Sequence, residues 1–444
     1  MNKRLKNLFF LVFAAFAFFS CSQTQSEGLL SVTIVHVNDL HGRVDPGEDG
    51  VGGFSHIAAA LKKLRQKDPN LIFLISGDLI TGSPLSSLTK GEAIFRLANR
   101  LGVSAFVPGN HEFDYGVPQY KNFLKIANFP FIAANMSIED HTIPAHPPYI
   151  VLNAGDVKVG VIGIAHPDTP LLTLPENTRG IAFEDAAPTL RKIIPEVTKK
   201  AQLIVAITHI GLQDDRKLAR EVGGINLILG GHSHDRLDAP EKIGNTWIAQ
   251  TGHNARFLGV IYVKISKSSK KIVSLRGMLI RMEGPSDHDM TAAIAAEEAR
   301  LPFKLDQPIG RATAALDKDA DLAPWIAGLL KKYTGAEIGM VNKGGVRENL
   351  RPGQITYRDI FDVMPFDNKA VLAFIPGDHI RRWLDNQAVI LDRNVKIDPN
   401  KTYRVGTMDY VASLYRIAPE KVRKTDSLVR DIMIEEIKNR GVIP

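Results

Sequence analysis

The stretch Ser31-Val32-Thr33-Ile34-Val35-His36-Val37-Asn38-Asp39-Leu40-His41-Gly42-Arg43 opens as an apolar, β-rich run and ends on a turn bearing a carboxylate and an imidazole. In extended chain, residues i and i+2 project to the same side, so Asp39 and His41 can reach one ion. The same habit recurs four times. Gly77-Asp78, Gly109-Asn110-His111-Glu112, Thr208-His209 and Gly231-His232-Ser233-His234 each close an apolar, strand-like run. Asp78 stands where a carboxylate could bridge two cations. Asn110 follows a Pro108-Gly109 turn that brings its side-chain carbonyl within reach of a metal. His232 and His234 repeat the i, i+2 spacing. Singly, each has an ordinary explanation as turn or hydrogen-bonded structure. Together they hold enough carboxylate, amide and imidazole ligands for two adjacent metal ions, and they point to metal-assisted hydrolysis of a phosphate ester.

Around these runs the chain alternates β-rich and helical stretches. Strands are expected at 32–37, 71–75, 129–134, 157–164, 203–207, 225–229 and 246–249, with helices at 54–67 and 91–101. This is an α/β layered domain, in which ligands bind beyond the carboxyl ends of strands. Every candidate metal residue falls at such an end. The character changes between Gly284 and Gly310, where an Ala- and Glu-rich helix at 291–301 is followed by Pro302 and Pro308. We read residues 31–285 as the first domain, 286–310 as a linker helix and 311–444 as a second, smaller α/β domain. Its strands are expected at 338–341, 369–374 and 403–407, and its helices at 322–333 and 379–387.

The bulk properties are those of a globular chain: 444 residues, 44% hydrophobic and 23% charged, with a net charge of +7. Lys3, Arg4 and Lys6 precede an apolar run at 8–19, a signal-type segment too short to span a bilayer. Without those three charges the mature chain is near +4 (7 − 3). Such an excess could attract anionic substrates or membrane, and gives no reason to expect a nucleic-acid polymer as partner. Cys21 is the single cysteine, so no intramolecular disulfide can form. It sits at the end of the signal segment before a polar stretch, which resembles a bacterial lipoprotein signal. The resemblance implies cleavage after residue 20, acylation of Cys21, a tether at 21–30 and a periplasmic or cell-surface protein, with Ser22 suggesting the outer membrane.

The runs VHVNDLHGR, SGD, GNHEFDYG, THIG and GGHSH resemble the calcineurin-like metallophosphoesterases, and within them the bacterial 5′-nucleotidase/UDP-sugar hydrolase family. The resemblance covers residues 31–285 and implies an α/β/β/α-layered first domain with a 5′-nucleotidase C-terminal-like second domain. It implies that Asp39, His41, Asp78 and His234 hold one divalent metal ion. Asp78, Asn110, His209 and His232 would hold the other, Asp78 being shared. Mixed nitrogen and oxygen donors suit Zn, Mn, Fe or Co. By the same resemblance His111 is catalytic, stabilising developing charge or protonating the leaving alkoxide, and Asp114 fixes its tautomer. His36, His56, His166 and His253 match no motif position and are read as structural or surface residues.

In the second domain, Asn342-Lys343-Gly344-Gly345-Val346-Arg347 is similar to the family's Asn-x-Gly-Gly-Ile-Arg turn. There the glycines admit a ligand to the backbone and the Arg supplies a donor fork. Phe366 matches an aromatic that stacks on a nucleobase. The domain departs from the family twice. Leu316-Asp317-Lys318-Asp319 lacks the substrate-contacting Arg of relatives. The C-terminal glycine motif before a second aromatic is absent, leaving Tyr410 or Tyr415 as the alternatives for that ring. The implied activity is release of phosphate from nucleotides by in-line displacement at the two ions. A 2′,3′-cyclic-nucleotide phosphodiesterase or a nucleotide-sugar diphosphatase is the alternative, and a non-catalytic nucleotide-binding lipoprotein the third reading.

Overall fold

The computed structural model describes residues 28–47, 49–392 and 396–443. The signal segment and Cys21 lie outside the described residues. No helix among them is long and apolar enough to cross a membrane.

The first half of the chain builds two sheets face to face. Leu29–Val37 pairs in parallel with Ile72–Ser76, which pairs with Ala105–Val107. On its other side it pairs antiparallel with Phe257–Ser266, which continues into Ile272–Arg281. The second sheet carries Val157–Ile164, Leu203–Thr208, Leu227–Leu229 and Thr246–Ala249 in parallel, with Tyr149–Ala154 and Glu241–Ile243 antiparallel at its edges. The period-2 alternation of the first strand assigns its faces. Val32 and Ile34 pack between the sheets with Leu74, Val161, Val205 and Leu229. Val35 and Val37 turn outward under the helices with Phe54, Ile57 and Phe95. On the far side, Leu190 and Leu218 from the helices Ala186–Val197 and Leu212–Glu221 cover Ile162, Ala206 and Ile228. The result is a helix–sheet–sheet–helix stack.

The expected strand at 129–134 does not form. This segment crosses from one sheet to the other. It exchanges backbone bonds with Phe106 through Pro130 and Ile132, then Ala134 turns to Gly163. Only an isolated bridge, Phe106 to Phe131, remains. The linker helix is found at His288–Glu298 and lies on the first unit, its Glu297 accepting from Arg96 at 2.9–3.0 Å.

The second unit centres on a five-stranded mixed sheet in the order Val389–Leu391, Ile338–Asn342, Thr402–Met408, Lys369–Pro376, Val422–Leu428. Helices Ala323–Thr334 and Val429–Arg440 pack on it. Helix Tyr357–Val363, started by a Thr356–Asp359 capping box, delivers Phe366 to the first unit. Polar contacts join the two units there. Arg43 pairs with Asp362 at 2.7 Å and Glu348 at 3.1 Å, Ser87 Oγ donates to the Pro365 carbonyl at 2.7 Å, and Arg358 reaches Asp45 at 3.2 Å.

A buried carboxylate ties the central strand ends of the first unit. Glu112 accepts N–H groups from Gly109 (2.7 Å), Leu79 (2.9 Å), Asp78 (3.1 Å) and Ile80 (3.3 Å). Burial and the Asp78 charge push its carboxyl up to about 7, while four converging donors favour the ionised form. Glu112→Gln offers one oxygen to four donors and turns an amide N–H toward others. It should cost about 3 kcal/mol, as expected for hydrogen bonds to a charged group, read as a lower midpoint in urea denaturation of the metal-free protein.

Candidate metal centre

The carboxyl ends of five strands converge on one rim. Ser76 marks the join: its Oγ donates to the Leu229 carbonyl at 2.7 Å, and its own carbonyl receives His209 Nδ1 at 2.8 Å. The chains approach closely enough that side chains are excluded at two glycines. A Cβ on Gly77, where φ is +77°, would lie 2.3 Å from His209 Nδ1, and one on Gly109 would lie 2.2 Å from Asp78 Oδ1.

Of the seven sequence-predicted ligands, six carboxylates and imidazoles gather in two adjoining groups. Asp39, His41 and His234 form one, and Asp78, His209 and His232 the other, with all ligand atoms of a group within 4.8 Å of one another. Asn110 joins the second through its Oδ1, 3.0 Å from His232 Nδ1. His209 Nε2 bridges toward both, 3.0 Å from Asp78 Oδ2 and 4.0 Å from Asp39 Oδ1. His111 approaches His41 and Asp78 in a third group.

The donor chemistry fits divalent cations. A carbonyl can only accept, so the bonds from His41 Nδ1 to Thr81 (2.9 Å) and from His209 Nδ1 to Ser76 place each proton on Nδ1. Their Nε2 lone pairs then point inward. His41 Nε2 faces His234 Nε2 at 2.9 Å, and buried His209 Nε2 has no aligned hydrogen-bond partner. Burial pushes His232 and His234 down to about 3, which keeps them neutral. Protons gather on Asp39 and His209, while the His209, His111 and His41 charges, overriding burial, hold Asp78 well below the usual carboxylate range. Burial pushes Asp39 up to about 7, and the Asp78 and Asp39 charges, overriding burial, raise His209 to about 10. Divalent cations would take the place of those protons.

His111 is held by Asp114, whose Oδ2 lies 2.7 Å from Nδ1, leaving Nε2 4.0 Å from Asp78 Oδ2. Burial would lower this imidazole, but Asp114 and Asp78 push it up to about 9. Thr173 Oγ1 and Asn177 Nδ2 hold the Asp114 side chain and carbonyl in turn.

Above His111 opens a cleft of about 310 Å³ between the two units. Phe366 forms its opposite wall, nearly parallel to the His111 ring (25°) with centroids 6.2 Å apart. The Arg347 guanidinium lies 5.6 Å over the Phe366 ring and donates to the Gly344 carbonyl at 3.2 Å. It makes no carboxylate ion pair among the described residues. Asn342, Gly344 and Gly345 line the same cleft. Gly344, at φ +80°, has open space beside it. Tyr410 lines the cleft too, whereas Tyr415 stacks on Trp383 with centroids 4.0 Å apart.

Residues without a motif match also reach the centre. His253 stacks on His234 (4.8 Å, 30°), and His166 lies against His232 (4.4 Å). Both follow strands of the second sheet, the signal that marked the other ligands. Asn38 Nδ2 donates to Asp39 Oδ2 and to the Gly252 carbonyl, both at 2.6 Å. His36 is buried with both ring nitrogens unpaired and is pushed by burial down to about 3; His56 is tied to the Gly52 carbonyl at 2.7 Å.

Comparison with known proteins finds two family matches along the chain. The calcineurin-like phosphoesterase family matches residues 32–236, and the 5′-nucleotidase C-terminal domain matches residues 304–394. Protein UshA of Yersinia enterocolitica is 29% identical over 474 aligned positions, covering 87% of this chain and 86% of its own length. A 5′-nucleotidase of Vibrio cholerae is 27% identical, covering 82% and 76%. The crystal structure of a 5′-nucleotidase precursor from Thermus thermophilus superposes with a TM-score of 0.86 at 24% identity, over 94% of this chain and 97% of that one. The chain carries a calcineurin-like phosphoesterase domain followed by a 5′-nucleotidase C-terminal domain, a combination of phosphoric-ester hydrolases.

Proposed function

We propose that this chain is an exported phosphohydrolase that releases phosphate from nucleotides. One observation carries the reading: two carboxylate–imidazole groups adjoin, through His111 and Asn110, a cleft whose far wall is an aromatic ring nearly parallel to His111. Asp39, His41, Asp78 and His234 would hold one divalent cation. Asp78, Asn110, His209 and His232 would hold a second, with Asp78 between them. Such a pair supplies Lewis acidity to the phosphate oxygens and to the attacking water of an in-line displacement.

The chain's own groups do the rest. Asp114 fixes Nδ1 of His111, so Nε2 is the atom that meets the phosphoryl group or gives its proton to the leaving oxygen. The Arg347 fork makes no carboxylate ion pair among the described residues, donates one N–H to the Gly344 carbonyl, and would turn its other donors to phosphate oxygens. Phe366 offers a face to the base, and Tyr410 is placed to supply a second ring. The names of the relatives, protein UshA and 5′-nucleotidase, support nucleotides as the substrate class. In this reading residues 31–285 cleave, residues 311–444 select, and an acylated Cys21 anchors the protein to the periplasmic or outer face of a membrane, the outer membrane by preference.

Asp78→Ala should abolish phosphate release from both AMP and p-nitrophenyl phosphate; unchanged turnover of either would end the proposal. Asp114→Asn should lower kcat about 10- to 100-fold, as loss of an orienting partner does, with bound metal unchanged by elemental analysis. Phe366→Ala should raise KM for AMP by about tenfold or more, the worth of a base–aromatic stack, and leave p-nitrophenyl phosphate within about twofold. A panel of mononucleotides, 2′,3′-cyclic nucleotides and UDP-glucose, with Mn and Zn compared, ranks the nucleotidase against the diesterase and diphosphatase alternatives by kcat/KM.

A further inference from the structure

Phe366 stands on a loop that is shaped from far along the chain. Helix Val429–Arg440 starts beside it, and its first two residues hold each residue from Met364 to Asn368. Arg430 Nη1 donates to the carbonyls of Met364 at 3.3 Å, Pro365 at 3.2 Å and Phe366 at 3.4 Å. Its Nη2 donates to Asp367 Oδ1 at 2.6 Å, and the Val429 N–H donates to the Asn368 carbonyl at 2.9 Å. The guanidinium also lies 4.0 Å from the centroid of the Phe361 ring, in the helix that leads into the loop. From the first unit, Ser87 Oγ reaches the same Pro365 carbonyl at 2.7 Å.

This is a costly place for a cation. Arg430 is 4% exposed, and it stands in the first turn of a helix, where the dipole disfavours positive charge. One carboxylate, that of Asp367, balances its charge. The three carbonyls go beyond that balance, and their geometry bears on one residue. The Pro365 and Phe366 carbonyls belong to the two peptide planes that flank the Phe366 Cα. A peptide is planar, so pinning both planes fixes φ and ψ of Phe366 and with them the direction of its Cα–Cβ bond. That bond carries the ring that stands nearly parallel to His111, at 25°, across the cleft. Arg430 does not line the cleft itself.

We propose that Arg430 is a positioning residue for substrate recognition, 64 positions along the chain from the ring it aims. The inference rests on the nucleotide reading above and deepens it: the stacking face of Phe366 is placed by the guanidinium fork that holds its two peptides. Lysine keeps the charge, but its ammonium is a point donor that cannot span three carbonyls and a carboxylate at once.

The test measures kcat and KM for AMP and for p-nitrophenyl phosphate at fixed metal in the wild type, Arg430→Lys, Phe366→Ala and the double variant. Arg430→Lys should raise KM for AMP about fivefold, part of the worth of a base–aromatic stack, with kcat within about twofold. Turnover of p-nitrophenyl phosphate, which has no nucleobase to place, should stay within about twofold. Adding Arg430→Lys to Phe366→Ala should raise KM for AMP no further, because no ring is then left to aim. An unchanged KM for AMP in Arg430→Lys overturns the proposal, and so does full addition of the two effects in the double variant. An equal loss with both substrates, or an insoluble variant, also overturns it, since Arg430 would then serve the fold alone. Absence of AMP hydrolysis by the wild type, or an unchanged KM in Phe366→Ala, would instead overturn the underlying nucleotide reading.

Discussion

The centre depends on backbone held where side chains rarely allow it. Asp39, His41 and Asp78 all have φ of +50°, His234 +58° and His232 +79°. Each such residue costs about 1–3 kcal/mol and persists only if its surroundings over-determine it. The left-handed turn brings each strand to an abrupt end and aims the side chain inward over the rim. Five strained residues of the candidate metal groups on one rim are therefore a single construction, with the rest of the first unit arranged to hold it.

The compensation is visible as hydrogen bonds between the turns. His41 N–H donates to the Asp78 carbonyl at 2.9 Å, Asp39 N–H to Gly77 at 3.2 Å, and Asn254 N–H to Asp39 at 2.8 Å. His232 N–H reaches both carboxylate oxygens of Asp39 at 3.0–3.1 Å. Glu112 collects the N–H groups around Asp78, and Asn38 joins Asp39 to Gly252 and Thr251. The two sheets thus share one network across the rim, and a shift in either strand end would move ligands contributed by the other. Two packed sheets supply the rigidity this needs, because their strand ends are set by the core between them.

The second unit adds what the rim lacks. The first contributes acids, imidazoles and strained turns. The second contributes Phe366 just after the capped helix, Arg347 after the strand Ile338–Asn342, Tyr410 in the helix Asp409–Leu414 and Lys318 at the start of the short helix Lys318–Leu322. Contacts between the units include polar ones built on Arg43, Ser87 and Arg358, beside Leu88 packed against the second core. Inter-domain surfaces of this kind are the usual site of relative motion. The acid- and imidazole-rich rim and the aromatic and cationic groups that face it are accordingly held by separate cores.

The local pattern of residues 31–43 and its four echoes was enough to name the residues that gather on one rim, because strand alternation and turn residues are short-range properties. Apart from 129–134, the strands and helices that this local reasoning named form within a few residues of their expected bounds, but it did not name the strands at 105–107 and 149–154 or the helices at 116–126, 186–197, 212–221 and 429–440. It failed at 129–134, where an apolar run reads as a strand but the chain crosses between sheets. It omitted the Phe257–Ser266 and Ile272–Arg281 pair, whose alternation is blurred by exposed apolar residues such as Val273 and Met278. It treated His166 and His253 as bystanders because neither belongs to a motif, and it could not choose between Tyr410 and Tyr415. Which strand ends meet on one rim, which tyrosine faces the cleft, and that Arg430 holds the Phe366 loop were decided only by tertiary structure. Ligand type and turn geometry are written within a few neighbouring residues, whereas these juxtapositions join positions tens to hundreds of residues apart and exist only once two cores have packed.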